Sequence, residues 1–308
     1  MRLMTVLGEV PAPRGPVLVH EHLRVDLRGS GRAPDPAALL DDEETVGGEL
    51  AALRGSHGLA AVVELTGLGM GRDAAALARI SERSGVAVVA ATGFYHGRFH
   101  PPYVAGASTA DLTRRLVTEI EDGLDGTGIR PGVIGEIGTG GERPSADEER
   151  CLRASAAAAV RTGLPLATHA HLGRGGLVQL DILTSEGLAP GRISIGHQDL
   201  LDDAPTHRRL ADAGAYVAFD TIGKASYQSD EVRLRRALDL IEAGHAARLL
   251  LSNDVSRAGY LRANGGSGYG AVFDSFVPRL AAAGVDDGTL RMILHDNPIR
   301  FLTSGEAR

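Results

Sequence analysis

Val19-His20-Glu21-His22-Leu23 closes a short apolar run that begins at Pro16. Side chains alternate faces along a strand, so His20 and His22 project together and Glu21 projects the other way. Two imidazoles on one face, near the end of a buried strand, form a natural pair of metal ligands. Taken alone, the pair is balanced against a plainer case: two histidines that fell close together, one of them a hydrogen-bonded core residue. What decides between them is whether other strand ends supply further ligands.

They do. Glu136 stands within Gly135-Glu136-Ile137-Gly138, His169 ends Ala167-Thr168-His169, and His197 ends Ile195-Gly196-His197. Asp254 follows Leu251-Ser252-Asn253. Each of these residues sits where an apolar run stops. A carboxylate there is costly to bury without a cation or hydrogen bonds. Singly, His169 or His197 reads as a satisfied core histidine, Asp254 as a helix cap and Glu136 as the partner of a buried arginine. Together they point to a metal site. A catalytic zinc uses about three protein ligands, so six candidates suit two ions sharing a carboxylate. Glu136, from the middle of the chain's strands, is the natural bridge, with the ions roughly 3.5–4 Å apart and a hydroxide between them. His171 shares the face of His169 but lies beyond the strand end, which places it behind the ligands or toward substrate.

The elements that must carry these residues follow a regular rhythm. Strand-like runs occur at residues 17–23, 60–66, 86–92, 132–137, 164–170, 193–197, 216–220 and 249–252. Helical patterns follow at 45–54, 73–84, 109–124, 147–162, 176–186, 205–213, 231–243, 272–283 and 289–294. Gly85 marks a helix end, Ser108 a helix start, and residues 94–106 a long loop. Short continuous apolar runs fit strands buried on both faces. Eight strand–helix units predict an α/β fold, a (β/α)8 TIM barrel whose active site lies at the C-terminal ends of its strands. A doubly wound sheet would call for a glycine-rich phosphate turn after the first strand, and none is present. No linker or shift in composition divides residues 1–308, so a single domain is expected.

These residues resemble the phosphotriesterase-like branch of the amidohydrolase superfamily, and within it the phosphotriesterase-related (phosphotriesterase homology) proteins. The resemblance spans nearly the whole chain. It rests on the five strand ends above and on Phe219-Asp220-Thr221-Ile222-Gly223-Lys224-Ala225-Ser226-Tyr227. Arg262-Ala263-Asn264-Gly265-Gly266-Ser267-Gly268-Tyr269 and Asp296-Asn297-Pro298-Ile299-Arg300-Phe301 add to it. It implies that His20, His22 and Asp254 hold a buried ion, that His169 and His197 hold a more exposed one, and that Glu136 bridges. Phosphotriesterases proper and the related lactonases have a carboxylated lysine at the bridging place, so this chain departs from them. Weak or absent organophosphate hydrolysis is the consequence expected. The resemblance also sets Tyr95 beside the metals, where packing against the barrel rim is the plain alternative. Lys224 and Tyr227 follow the seventh strand and are candidates to contact a substrate's anionic group. Residues 262–270 read as a mobile lid or an ordinary flexible loop. His57, His96, His100, His207, His245 and His295 fall on helices or loops and are left outside the site.

Composition narrows the function classes. The net charge of −7 and the absence of Trp argue against nucleic-acid partners. No apolar run approaches a membrane span, and Met1 to Pro13 lacks a signal-peptide core. One cysteine, Cys151, excludes a disulfide framework and reads as an inert buried thiol. A cytoplasmic protein acting on a small molecule is expected, with a homodimer left open. Its cofactors would be two divalent ions, zinc first, with manganese, cobalt or iron also compatible. The expected reaction is hydrolysis of an ester, lactone or amide, with Asp254 passing a proton to the leaving group. An organophosphate triester hydrolase and a metal-containing barrel that binds without turnover are the alternatives.

Overall fold

The structure, a computed structural model, describes residues 1–30 and 35–303; residues 31–34 and 304–308 of the single-domain reading lie outside the described residues. Eight strands form one sheet in strict chain order: β1 Val17–Glu21, β2 Ala61–Glu64, β3 Ala87–Thr92, β4 Val133–Thr139, β5 Leu166–Ala170, β6 Ile193–Ile195, β7 Tyr216–Phe219 and β8 Leu249–Leu251. Every ladder between neighbours in this sheet is parallel. At the seam, the Asp254 N–H donates to the His20 carbonyl at 3.1 Å and the His20 N–H to Ser252 Oγ at 3.0 Å. The sheet thus curls into the expected (β/α)8 barrel.

Helices α1 Glu43–His57, α2 Ala74–Ser84, α3 Thr109–Asp122, α4 Ala146–Thr162, α5 Gly176–Ser185, α6 Ala204–Asp212 and α7 Asp230–Leu240 follow successive strands. Local chemistry sets their ends. Asp42, Asp73, Ser108, Ser145, Asp203 and Ser229 each cap a first turn through the side chain. Each such cap stabilises its helix by about 1 kcal/mol. Gly85 ends α2 in the left-handed region, at φ 66°. The helix expected over 231–243 stops at Leu240 instead, and the chain widens through Ile241–His245 around Gly244, at φ 87°. Residues 94–106 are not featureless but hold two short turns, Gly97–Phe99 and Pro102–Gly106.

Each strand buries both faces. Val17, Val19, Ala61, Val63, Val89, Ala91, Val133, Ala167, Tyr216, Ala218 and Leu250 fill the barrel interior, while Leu18, Val62, Val88, Ile134 and Leu166 face the helices. An N-terminal hairpin, Arg2–Thr5 against Gly8–Pro11, went unforeseen because four-residue strands carry too little periodicity. Its Leu3 joins Phe301 and Leu302 of the last helix, Asn297–Thr303, against the strand-start residues Val17, Val133 and Tyr216. They close the barrel floor, opposite the strand ends that carry the polar residues.

Two bulges aim the strand ends. Between Leu18↔Val62 and Glu21↔Glu64 the register of β1 against β2 slips by one residue. Unbroken alternation from Val17 and Val19 would turn Glu21 inward and His20 outward; the slip reverses both. The same happens in β4 between Ile134↔Leu166 and Ile137↔Thr168, which turns Glu136 inward. Bulges are a usual device for re-aiming a side chain at a functional rim.

Candidate metal centre

The six strand-end residues meet in one buried cluster around Glu136. Its Oε1 lies 3.3 Å from His22 Nε2, and its Oε2 lies 3.4 Å from His20 Nε2, 3.2 Å from His169 Nδ1 and 3.8 Å from His197 Nε2. Asp254 Oδ1 is 3.3 Å from His22 Nε2 and 4.0 Å from His20 Nε2. His169 Nδ1 and His197 Nε2 are 2.7 Å apart. Glu136 therefore touches both halves of the cluster.

Three of the four imidazoles, His20, His22 and His197, are fixed from behind, whereas His169 turns its Nδ1 to the cluster and its buried Nε2 has no partner. Asp220 accepts from Nδ1 of His20 at 2.7 Å and from Nδ1 of His197 at 2.8 Å, and it also takes the His197 backbone N–H at 2.8 Å. Thr66 Oγ1 lies 2.8 Å from His22 Nδ1. A ring that donates from Nδ1 presents its Nε2 lone pair, the orientation metal ligation needs. The buried Nε2 of His20 has no hydrogen-bond partner and points at two carboxylates. His197 and Asp254 hold left-handed backbone conformations, φ 57° and φ 50°, that few non-glycine residues adopt.

The charges call for a cation. The carboxylates of Glu136, Asp220 and Asp254 converge on the imidazoles, and the ammonium of Lys224 pairs with one of them, Asp254. Burial pushes the His20 pKa down, yet Asp220 and Glu136 outweigh it and hold the value well above the ordinary one. Burial likewise opposes the charged form of His22, but Asp254 and Glu136 raise it to about 9. Glu136, pushed up by burial, is pulled well below the usual carboxylate range by His20 and His169. The carboxylates that favour a proton on these imidazoles would equally favour a divalent ion bound by nitrogen and oxygen, whose binding releases the proton. Three groupings of this set, His20–His197–Asp254, His20–His22–Glu136 and Glu136–His169–His197, each bring their ligand atoms within 4.8 Å of one another.

Above the cluster opens a cavity of about 230 Å³. Tyr95, Lys224 and Tyr227, the three candidate substrate contacts, all line it. The Tyr95 hydroxyl is 3.2 Å from His169 Nδ1, so the residue reaches the cluster as well as the rim. Tyr227 is half exposed at the mouth. Lys224 is buried, with its Nζ paired to Asp254 Oδ2. His171 faces the cavity, as its strand parity suggested. Leu27, Met70, Phe99, Leu172 and Leu200 supply apolar lining, and Arg98 and Arg257 basic lining.

A model described as the Phosphotriesterase family matches residues 1–302. The chain belongs to the phosphotriesterase family. Its relatives include the Phosphotriesterase homology protein of Escherichia coli (strain K12), 38% identical over 289 residues that cover 94% of this chain and 98% of that protein. A crystal structure of that protein, complexed with phosphate in the active site, matches at a TM-score of 0.91 and 37% identity, covering 95% of this chain and 100% of that one. The N-acetyltaurine hydrolase of Rattus norvegicus is 30% identical over 344 residues, 98% of each protein. A lactonase from Listeria monocytogenes matches at a TM-score of 0.92 and 27% identity over 98% of this chain and 99% of that one. With named hydrolases among full-length relatives, the chain is a hydrolase of the phosphotriesterase family.

Four residues of this phosphotriesterase-family site stand outside the expected set. Asp220 directly follows β7 and shares the parity of Tyr216 and Ala218, which would have turned it into the barrel. His96, set aside as a loop residue, lines the cavity with its ring 4.3 Å from that of Tyr95 and 5.8 Å from that of His169. Burial holds its pKa down to about 4. Its loop is tied down by Glu148, whose Oε1 accepts from Gly97 and Gly140. Glu21 accepts from Ser252 Oγ, from the Asn253 backbone and side chain, and from the Val255 N–H, gripping the turn that carries Asp254. Tyr269 donates its hydroxyl to the His22 carbonyl at 2.7 Å. Through Tyr269, residues 262–270 back the site. The Arg262 N–H donates to Glu49, and Gly268, at φ 62°, passes so near Glu49 that a Cβ would lie 2.4 Å from its carboxylate.

Proposed function

We propose that this hydrolase is a binuclear metal enzyme that cleaves the ester, lactone or amide bond of a small molecule bearing an anionic group. The convergence of six ligand-type side chains, with Glu136 at their centre, beneath a cavity lined by both apolar and basic residues carries this reading. His20, His22 and Asp254 would hold one ion, His169 and His197 the other, and Glu136 both. Zinc suits this set, and manganese, cobalt or iron would also fit. When bound, such ions supply Lewis acidity and a hydroxide nucleophile at neutral pH.

The chain's own residues supply positioning and proton transfer. Asp254 takes the proton released as water adds to the carbonyl carbon and returns it to the leaving oxygen or nitrogen as the acyl bond breaks. Tyr95 stands beside His169 at the carbonyl end of the cavity. Lys224, Arg257 and Tyr227 receive the anionic group, and Leu27, Met70 and Leu200 the apolar part. Two relatives support an anion: one holds phosphate in its active site, and the other is named for N-acetyltaurine, an amide carrying a sulfonate. Glu136 in the bridging place, against a carboxylated lysine in phosphotriesterases proper, weighs toward carbonyl substrates. The reading keeps the protein in the cytoplasm, in accord with a lone buried cysteine whose thiol is pushed up to about 12 by burial.

Metal analysis of the purified protein, joined to a substrate panel, tests this. The panel holds N-acetyltaurine, an N-acyl amino acid, a lactone, an aryl ester and a phosphotriester. The expected result is two divalent ions per chain and turnover concentrated on the carbonyl compounds. Bound metal with no turnover on any member would instead favour a small-molecule-binding barrel. Fastest turnover of the phosphotriester would favour an organophosphate hydrolase.

A further inference from the structure

Leu172 stands in the turn His171–Gly173 after β5, with a left-handed backbone at φ 52° and ψ 34°. That conformation crowds the Cβ of an L-residue against a carbonyl, and leucine has no polar side-chain atom to offset it, as asparagine or aspartate has. The turn is pinned at both ends. The Gln179 side chain donates to the His169 carbonyl at 2.9 Å and the Gln198 side chain to the Gly173 carbonyl at 3.0 Å, and both glutamines are buried. Gly173 follows at φ 78°, where a Cβ would lie 2.7 Å from Leu201 Cβ and 2.8 Å from the His197 carbonyl oxygen. Burial does not account for the leucine either. The residue is 39% exposed, and it lines the cavity. Folding alone would favour glycine or asparagine at such a backbone.

The turn lies beside the half of the cluster formed by His169 and His197. The His171 ring is 6.1 Å from that of His169, and Gly173 abuts the His197 carbonyl. Leu200, from the loop after the adjacent strand β6, lines the same cavity and is partly buried. Lys224 and Arg257, which bring positive charge to the cavity, come from the loops after β7 and β8.

We propose that Leu172 is a specificity-determining residue that reads the acyl part of the substrate, and that the substrates are anionic acyl compounds with a chain longer than acetyl. The anionic group lies toward the loops after β7 and β8, and the carbonyl lies beside Tyr95 and His169. The acyl chain then runs toward Leu172 and Leu200. A chain of several methylenes covers both leucines and removes their apolar surface from water, whereas an acetyl methyl covers little of either. Each methylene so buried favours the bound state by about fourfold. The left-handed backbone is what turns the leucine toward the chain. This inference rests on the hydrolase reading above, which sets the orientation of the substrate.

N-hexanoylglycine and N-acetylglycine test this, since they share the carboxylate and the amide and differ only in the chain. Metal-loaded wild-type protein should hydrolyse the hexanoyl compound with a kcat/KM about tenfold higher. Leu172→Asn keeps a similar size and suits the left-handed backbone. It should melt no lower than the wild type, leave N-acetylglycine nearly unaffected and reduce the preference to about threefold or less. Leu172→Met restores an apolar side chain and should recover the preference. Equal or better turnover of N-acetylglycine by the wild type overturns the proposed substrate class. A preference that survives in Leu172→Asn, or an equal fall on both compounds, overturns the role of Leu172. So does a clear drop in the melting temperature of Leu172→Asn, which would assign the leucine to folding. Calorimetry with the same compounds gives a readout independent of turnover: the wild type should bind N-hexanoylglycine about tenfold more tightly, and Leu172→Asn should lose most of that difference. That binding pattern without hydrolysis of any panel substrate would uphold the acyl subsite and overturn the hydrolase reading.

Discussion

Asp220 ties the two halves of the cluster together from behind. One carboxylate orients His20, placed in one half, and His197, placed in the other. Burial pushes its pKa up, but His197 and His20 draw it far below the usual range. Replacing it frees two imidazoles to rotate and removes the acceptor that selects their tautomer. Asp220→Ala should therefore weaken the retention of both ions, by about 10- to 100-fold, as lost partners of metal-bound histidines do. Competition with a chelator measures this directly. Unchanged retention of both ions would remove Asp220 from the account.

At the level of elements, β1 and the loop after β8 form one unit across the barrel seam. The β1 bulge that turns His20 and His22 inward also turns Glu21 outward, onto the turn of Ser252 to Val255. Four donors converge on that buried carboxylate, and Asp254 sits between them at a left-handed φ. Glu21→Ala would leave those donors unpaired and relax the turn. The expected cost is about 3 kcal/mol in urea melts, since each stranded buried polar group costs roughly 1–3 kcal/mol and some would find water. The ion assigned to His20, His22 and Asp254 should dissociate more readily than the one assigned to His169 and His197. Equal loss of both, or of neither, would show that the turn does not depend on this grip.

For the molecule as a whole, acid sensitivity has an identifiable source away from the site. His207, in α6, is buried with its ring edge-on to Phe219 at 5.4 Å, and its Nε2 lacks a partner. Burial holds its pKa down to about 4, against an ordinary 6.5. The unfolded chain takes up this proton near pH 6.5, whereas the folded chain resists it until near pH 4. Across that window the unfolded state binds more protons, so stability is full above pH 6.5, declines as pH falls toward 4, and then levels off for this residue. The decline is roughly 3 kcal/mol from a shift of this size. His207→Gln should remove it, read as the difference between wild type and variant in melts at about pH 7.5 and about pH 4.5. A wild-type decline that persists undiminished in the variant would assign the acid sensitivity elsewhere, for example to His96.

Residue identities and local periods were enough to foresee eight strand–helix units, the caps at Ser108 and Gly85, and the strand-end positions of His20, His22, Glu136, His169, His197 and Asp254. Those features depend on neighbours within a few residues, where alternation, capping and helix period act. Other features appeared only once the barrel closed. The bulges in β1 and β4 depend on pairing with β2 and β5. The acceptor for His20 lies 200 residues away, and the donors to Glu21 lie more than 230 away. His96 reaches the cavity because Glu148 anchors its loop, and Lys224 meets Asp254 because β7 and β8 are adjacent. A cluster of side chains able to hold metal was therefore legible from residue types at strand ends. The partners that orient those residues, and the ammonium paired with Asp254, are set by long-range closure that no local pattern encodes.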